Sequence, residues 1–379
     1  MPTVCIDCRY IGPRPSGIAE LVRGLIDHVP QLAPDLRFLL LRHPAHPGPL
    51  SDAPNVVEQV VWQAANGPAT MWWLAEVVDL TRVDLFHATF NIMPAGLPMP
   101  CVVTIHDIMR LTHPAWCRPG PRGVVERLFY GHGLRRAVRC ADAIAAISAA
   151  TATQIAAYHP AAAERTSVTL SGVSDHFRPA PDPERLADLG LTPERPFVLT
   201  VGQDAPYKNH EGALRGFAAA FAGYRDIDLV VVQRRGPRRA RLESLAAALG
   251  VAGRVHFLPV VDPDALVALY SAARVLLHPS FAEGFGNPVA EAMACGCPVV
   301  TSMTSSMPEV AGGAAVLVDP DDFASIASGL LAVVRSPARV DQMRAAGLTR
   351  ARALRWQGFA ADNLALYRRL LANAPVRRA

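Results

Sequence analysis

Apolar residues along this chain fall into short runs separated by stretches in which they recur every three or four positions, the signatures of buried strands and amphipathic helices. In the first half the runs predict strands at Thr3–Asp7, Arg37–Leu41, Val56–Val61, Leu85–Ala88, Val102–Ile105, Ala143–Ile147 and Ser167–Leu170. Helical spacing predicts helices over Ile18–His28, Trp72–Leu80, Val124–Ala137 and Ala149–Tyr158. A proline-rich stretch from Phe177 to Pro196 reads as a linker with one short helix. Strands are then expected at Phe197–Val201, Leu229–Gln233, Val255–Val260, Val275–His278, Val299–Thr301 and Ala315–Leu317, with helices between them. Such alternation implies α/β layers around parallel sheets. The expected organisation is two Rossmann-like domains, 1–178 and 179–355, facing a cleft. The segment 356–379 reads as an amphipathic helix on a core.

The 379 residues suffice for two cores, and 51% hydrophobic against 18% charged residues indicates a folded globule. A net charge of +4 gives no case for nucleic-acid binding. The N-terminal residues do not resemble a signal peptide and no apolar run is long enough to span a bilayer, so a cytoplasmic protein is expected. Seven cysteines make an odd number without a disulfide pattern, and Cys5-x-x-Cys8 reads as buried thiols at a strand end. No dinucleotide fingerprint or Walker A string is present, which weighs against a dehydrogenase and a P-loop kinase.

The most informative stretch is Glu283-Gly-Phe-Gly-Asn-Pro-Val-Ala-Glu291. It follows a predicted strand, and Asn287 with Pro288 suits a helix start. Glu283 is then expected in a loop and Glu291 in the first helical turn, with the amides of Gly284, Phe285 and Gly286 between them. Taken singly, Glu291 also suits a dipole partner and Glu283 a solvated loop residue. The whole string resembles the E-x7-E signature of the family 4 retaining glycosyltransferases of GT-B fold. That resemblance implies that Glu283 reaches the donor sugar and Glu291 the ribose hydroxyls of the nucleotide.

Further segments carry the same resemblance. Ser16-Gly17-Ile18 before a helix is similar to the family's glycine loop, which implies that the Gly17 amide approaches the donor diphosphate; an ordinary turn fits equally. His106, at the end of an apolar strand, matches a family histidine beside the donor sugar, and Asp107 is a candidate to orient its ring or meet acceptor. Lys208, followed by a capping Asn209, resembles the lysine that contacts the diphosphate. Many members have an arginine where this chain has Gln203; Arg234 and Arg235 are candidate replacements, against a solvated basic turn. Asp226-Ile-Asp228 precedes its strand and Asp262-Pro-Asp264 reads as a capped helix start, so no metal site is expected. Arg118, Arg122, Arg127, Arg135, Arg136 and Arg139 accompany apolar residues over 118–139, giving either a solvated helix face or a contact with the inner face of an anionic membrane.

The resemblance implies a retaining, metal-independent hexosyltransferase needing no cofactor beyond its nucleotide-sugar donor, with GDP-mannose slightly ahead of UDP-sugars. Its acceptor would be a glycan, lipid-linked or small glycoside hydroxyl, and its catalytic residues His106, Lys208 and Glu283. Alternatives are an epimerase or phosphorylase on the same fold, or a non-catalytic nucleotide-sugar-binding partner.

Overall fold

A computed structural model describes residues 1–13, 16–116 and 120–373. Two compact units divide the chain, one of Met1–Gly172 with Arg355–Ala379, the other of Val173–Leu354. Each is an α/β fold around one wholly parallel sheet.

The sheet of the first unit comprises β1 (Thr3–Asp7), β2 (Arg37–Arg42), β3 (Val56–Val60), β4 (Leu85–Ala88), β5 (Cys101–Ile105), β6 (Ala143–Ala146) and β7 (Thr166–Val168), in the order β3-β2-β1-β4-β5-β6-β7. The central strands β4, β5 and β6 are buried along their whole length, as expected of parallel strands covered on both faces. The helix Gly17–Ile26 follows β1; Ser16 caps it, its Oγ accepting from the Ala19 amide at 3.1 Å. The closing helix Trp356–Asn373 belongs to this unit, and its Trp356 ring occupies the space a Cβ would need on Gly24 and on Gly172. Farther along, the Tyr367 hydroxyl meets His87 Nδ1 at 2.5 Å, and Thr104 Oγ1 meets His87 Nε2 at 2.8 Å. Burial pushes this imidazole down to about 3, so it stays neutral.

The second unit has β8 (Phe197–Val201), β9 (Asp228–Val232), β10 (Val255–Leu258), β11 (Val275–His278), β12 (Val299–Ser302) and β13 (Val316–Val318), ordered β10-β9-β8-β11-β12-β13. The order reverses between β8 and β11, the topological switch point where open α/β sheets bind ligands at the strands' C-terminal ends. The first unit has the corresponding point between β1 and β4.

Most expected elements are present with shifted ends. The helix anticipated over Trp72–Leu80 runs instead over Pro68–Val77, because Pro68 suits a first turn and Val78 is already extended. The helix anticipated over Val124–Ala137 spans Gly120–Cys140. Ser167–Leu170 shortens and shifts to Thr166–Val168. The Phe177–Pro196 stretch contains the short helix Pro183–Asp188 and lies within the second unit.

Candidate active site

Two loops at the switch point of the second unit bring charge together. The first leaves β8 through Gly202 and Gln203 and tightens into a 3-10 turn, Pro206–Lys208. Asn209 then adopts a left-handed conformation (φ 52°), and its Oδ1 accepts from the Gly212 amide at 3.0 Å, capping the helix His210–Ala220. The Asn209 amide nitrogen donates to the carbonyls of Pro279 and Pro320 at 3.0 and 2.8 Å. This side chain therefore ties the Lys208 turn to the loop after β11.

That second loop carries Glu283 and is held from below. The Glu283 amide donates to Ser305 Oγ at 3.1 Å, while Ser305 Oγ donates to the Glu283 carbonyl and Ser306 Oγ to the Phe285 carbonyl. Gly286 has φ 111° and precedes the helix Asn287–Ala294; a Cβ there would run into Met307. This corrects the expected helix start. Gly286 holds the cap position without a side-chain cap, Asn287 is already helical, and Glu291 is past the first turn.

Lys208 Nζ donates to Glu283 Oε1 at 2.6 Å, with only 11% and 9% of the two side chains exposed. The same Oε1 lies 3.0 Å from His278 Nε2, at the end of β11, and Ser280 Oγ is 3.2 Å from that nitrogen. Burial pushes the Glu283 carboxyl up, but Lys208 and His278 outweigh it and hold it at about 2. It is ionised at neutral pH. No described residue donates to Oε2, which can accept from a ligand hydroxyl.

Glu291 is 9% exposed, and the Tyr270 hydroxyl donates to its Oε2 at 2.8 Å. Burial raises the Tyr270 phenol well above its ordinary range, and Glu291 raises it further, so this donor keeps its proton. Gln203 is exposed, and its carbonyl lies 3.1 Å from His210 Nε2; Arg234 and Arg235 are exposed. Asp262 caps the helix Pro263–Ala272 by accepting from the Ala265 amide at 2.9 Å. A cavity of about 470 Å³ beside the same turn is lined by Asp204, Asn209, Arg215 and Phe281 among others, but not by Lys208, Glu283 or Glu291.

In the first unit His106 follows β5. Its Nε2 donates to the Thr89 carbonyl at 3.0 Å, its amide donates to Asn91 Oδ1, and its ring lies 5.4 Å from Phe90. Burial lowers the imidazole to about 4, against the pull of the Thr89 bond. The ring is thus neutral, with Nδ1 left as an acceptor. Its orientation comes from Thr89; Asp107 Oδ1 accepts from the Met109 amide at 2.9 Å. Gly17 opens its helix behind the Ser16 cap. Arg118 lies outside the described residues.

Thus the second unit gathers Lys208, Glu283 and the loop Gly284–Gly286, with Glu291 on the following helix. His278, Tyr270, Ser305 and Ser306 are functional candidates that pattern reading missed. His278 had a signal, as a polar residue ending an apolar strand beside Pro279-Ser280. Tyr270 had none, since a tyrosine in an apolar helix reads as core.

Comparison with known proteins accords with this geometry. Residues 15–177 match the family described as Glycosyltransferase Family 4, and residues 182–350 match Glycosyl transferases group 1. The chain belongs to family 4 of the GT-B glycosyltransferases. Among its relatives, O-antigen chain mannosyltransferase B of Escherichia coli is 27% identical over 315 residues, covering 79% of this chain and 77% of that protein. The D-inositol 3-phosphate glycosyltransferase of Thermobifida fusca is 30% identical over 303 residues, 75% of this chain and 69% of that one. For the Rhodococcus jostii protein of the same name, 30% identity extends over 64% of this chain and only 55% of the relative. The solved sucrose-phosphate synthase of Thermosynechococcus elongatus superposes over 99% of this chain and all of its own, with TM-score 0.71 and 21% identity, which shows the fold.

Proposed function

We propose that this chain is a retaining, metal-independent hexosyltransferase that uses a nucleotide diphosphate sugar. The observation carrying this is the Lys208–Glu283 pair at the switch point, with Glu291 held by Tyr270 on the next helix. Lys208 and the amides of the glycine loop neutralise the departing diphosphate without a metal. Glu283 Oε2 accepts from the sugar, Glu291 accepts from the ribose, and Gly17 approaches the diphosphate. The departing phosphate oxygen takes the acceptor's proton on the same face of the sugar, so no separate carboxylate base is required. His106 offers a neutral acceptor nitrogen to a sugar hydroxyl.

The name of one relative, a mannosyltransferase, fits a mannose donor, and we propose GDP-mannose slightly ahead of a UDP-sugar. An epimerase would release free isomerised sugar without an acceptor, and a phosphorylase would require inorganic phosphate. Proton NMR of the first-formed product should show the donor's anomeric configuration, and activity should persist in excess EDTA. An inverted product overturns the retaining reading. Loss in EDTA with rescue by manganese overturns metal independence.

A second observation bears on the acceptor. On the helix Gly120–Cys140, Val125 and Leu128 are 67% and 59% exposed, with Arg122 and Arg127 also exposed. Trp72, of the helix Pro68–Val77, lies 5.7 Å edge-on to Phe129 and extends that apolar face. No described helix is long and apolar enough to cross a membrane. We propose peripheral contact with an anionic bilayer, bringing the enzyme to a lipid-linked acceptor. Flotation with phosphatidylglycerol vesicles but not phosphatidylcholine vesicles, lost in Val125→Asp/Leu128→Asp, is the expected result. Equal recovery from both vesicle types would overturn it.

A further inference from the structure

His278 Nε2 faces Glu283 Oε1 at 3.0 Å, with Ser280 Oγ 3.2 Å from the same nitrogen. A proton on Nε2 serves the carboxylate, and a second on Nδ1 makes the ring a cation beside it. Opposing this is Lys208, whose Nζ is bonded to the same Oε1 at 2.6 Å. The charged and titratable groups facing the ring are Glu283, Lys208 and His210. Burial lowers the His278 pKa, Glu283 raises it, and Lys208 lowers it again. With the ammonium in place, Glu283 already has a cation and the ring is kept neutral.

We propose that His278 is the positioning residue that takes over Glu283 when Lys208 turns to the donor's diphosphate, gaining one proton from solvent as it does so. The Lys208 movement rests on the donor-binding reading above. Neutral imidazole becomes imidazolium, no other bond is made or broken, and the cation beside Oε1 is replaced. Glu283 thereby stays ionised, with Oε2 directed at the sugar, during the step in which its first partner is engaged elsewhere. Without such a replacement, a buried carboxylate that loses its counter-ion would tend to take up the proton itself.

Imidazole NMR on the full chain follows the ring, recognised as the resonance that disappears in His278→Gln. In Lys208→Met, with no nucleotide present, His278 should bind its proton at least about tenfold more tightly than in wild type, and Glu283→Gln in that background should reverse the gain. The same titration in wild type and Lys208→Met would overturn the proposal. Should Lys208→Met fail to fold, calorimetry on the wild type decides. Binding of UDP or GDP in phosphate and in Tris at about pH 7.5 should show proton uptake that His278→Gln abolishes. Uptake unchanged by His278→Gln would overturn the proposal. Absence of binding heat with both nucleotides would count against the donor reading instead, leaving the ligand-free Lys208→Met titration to decide on the ring.

Discussion

Both units contain a buried ion pair near the ends of their central strands, and the two are bonded differently. In the first unit Arg9 makes bonds of 2.8 and 2.6 Å to Asp7, and its remaining nitrogen donates to Thr70 Oγ1 and the Gln63 carbonyl, each at 2.9 Å. The Asp7 and Arg9 side chains are almost fully enclosed. In the second unit Lys208 and Glu283 make a single bond and no described residue donates to Oε2, while the Lys208 ammonium lies 5.5 Å from the centre of the Tyr207 ring. The first pair is consumed by the fold, while the second keeps a carboxylate oxygen for the proposed donor sugar. Strand order is the same in the two units apart from the extra edge strand β7, so topology does not set this difference. It lies in the loops, where function is grafted onto a shared scaffold.

The sharpest way to break this comparison is Lys208→Ala. Turnover should fall by about 10²–10³, the cost of removing one preorganised charge-stabilising group. Steady-state kinetics within threefold of wild type would show that another residue neutralises the diphosphate and that the Lys208–Glu283 pair is not the catalytic one.

Acid should separate the units next. His87 and His106 in the first unit are held neutral by burial, at about 3 and about 4, as is His210 in the second at about 4. Between about pH 6.5 and 4 the unfolded chain therefore binds protons that the folded chain does not. Stability should fall through that window, by on the order of 3 kcal/mol per buried ring. Glu283, depressed to about 2, contributes stability above about pH 4.5 that is lost only as pH falls toward 2, and only in the second unit. Hydrogen exchange resolved by unit should show both weakening as pH falls from about 6.5, and the second alone weakening further below about pH 3. A melting temperature unchanged from pH 7 to 4 would contradict the neutral-ring assignment.

The smallest effect expected is on binding. Glu291→Ala should weaken nucleotide affinity by about 1.5–3 kcal/mol, the scale of a charge-assisted hydrogen bond, and Glu283→Ala should instead act mainly on turnover. Titration calorimetry with UDP and GDP measures the first, and initial rates measure the second. Equal nucleotide affinity in wild type and Glu291→Ala would remove Glu291 from the ribose.

Much of this was legible in the chain itself. Alternating apolar runs and helical spacings determined two α/β halves, because buried parallel strands and amphipathic helices leave different periods in sequence. Glu283, Glu291, Lys208 and His106 stood out because the strings around them resemble family 4 motifs; local pattern alone fits structural roles for both glutamates and the histidine. Local rules also captured Asn209 and Asp262 as caps, since capping is decided within a few residues. They misplaced the start of the Asn287–Ala294 helix, where the packing of Met307, remote in sequence, favours a glycine cap over the asparagine.

Only the tertiary structure decided which charges meet. Lys208 and Glu283 are 75 positions apart and share one oxygen with a histidine that reads locally as part of a strand. Tyr270 reaches Glu291 from another helix, and Ser305 and Ser306 fix the Glu283 loop from beyond β12. Periodicity records which face of an element is buried. It does not record which polar atom of a distant element will share that burial, because hydrogen bonding and counter-ion pairing are set by positions that converge only when the sheet is assembled.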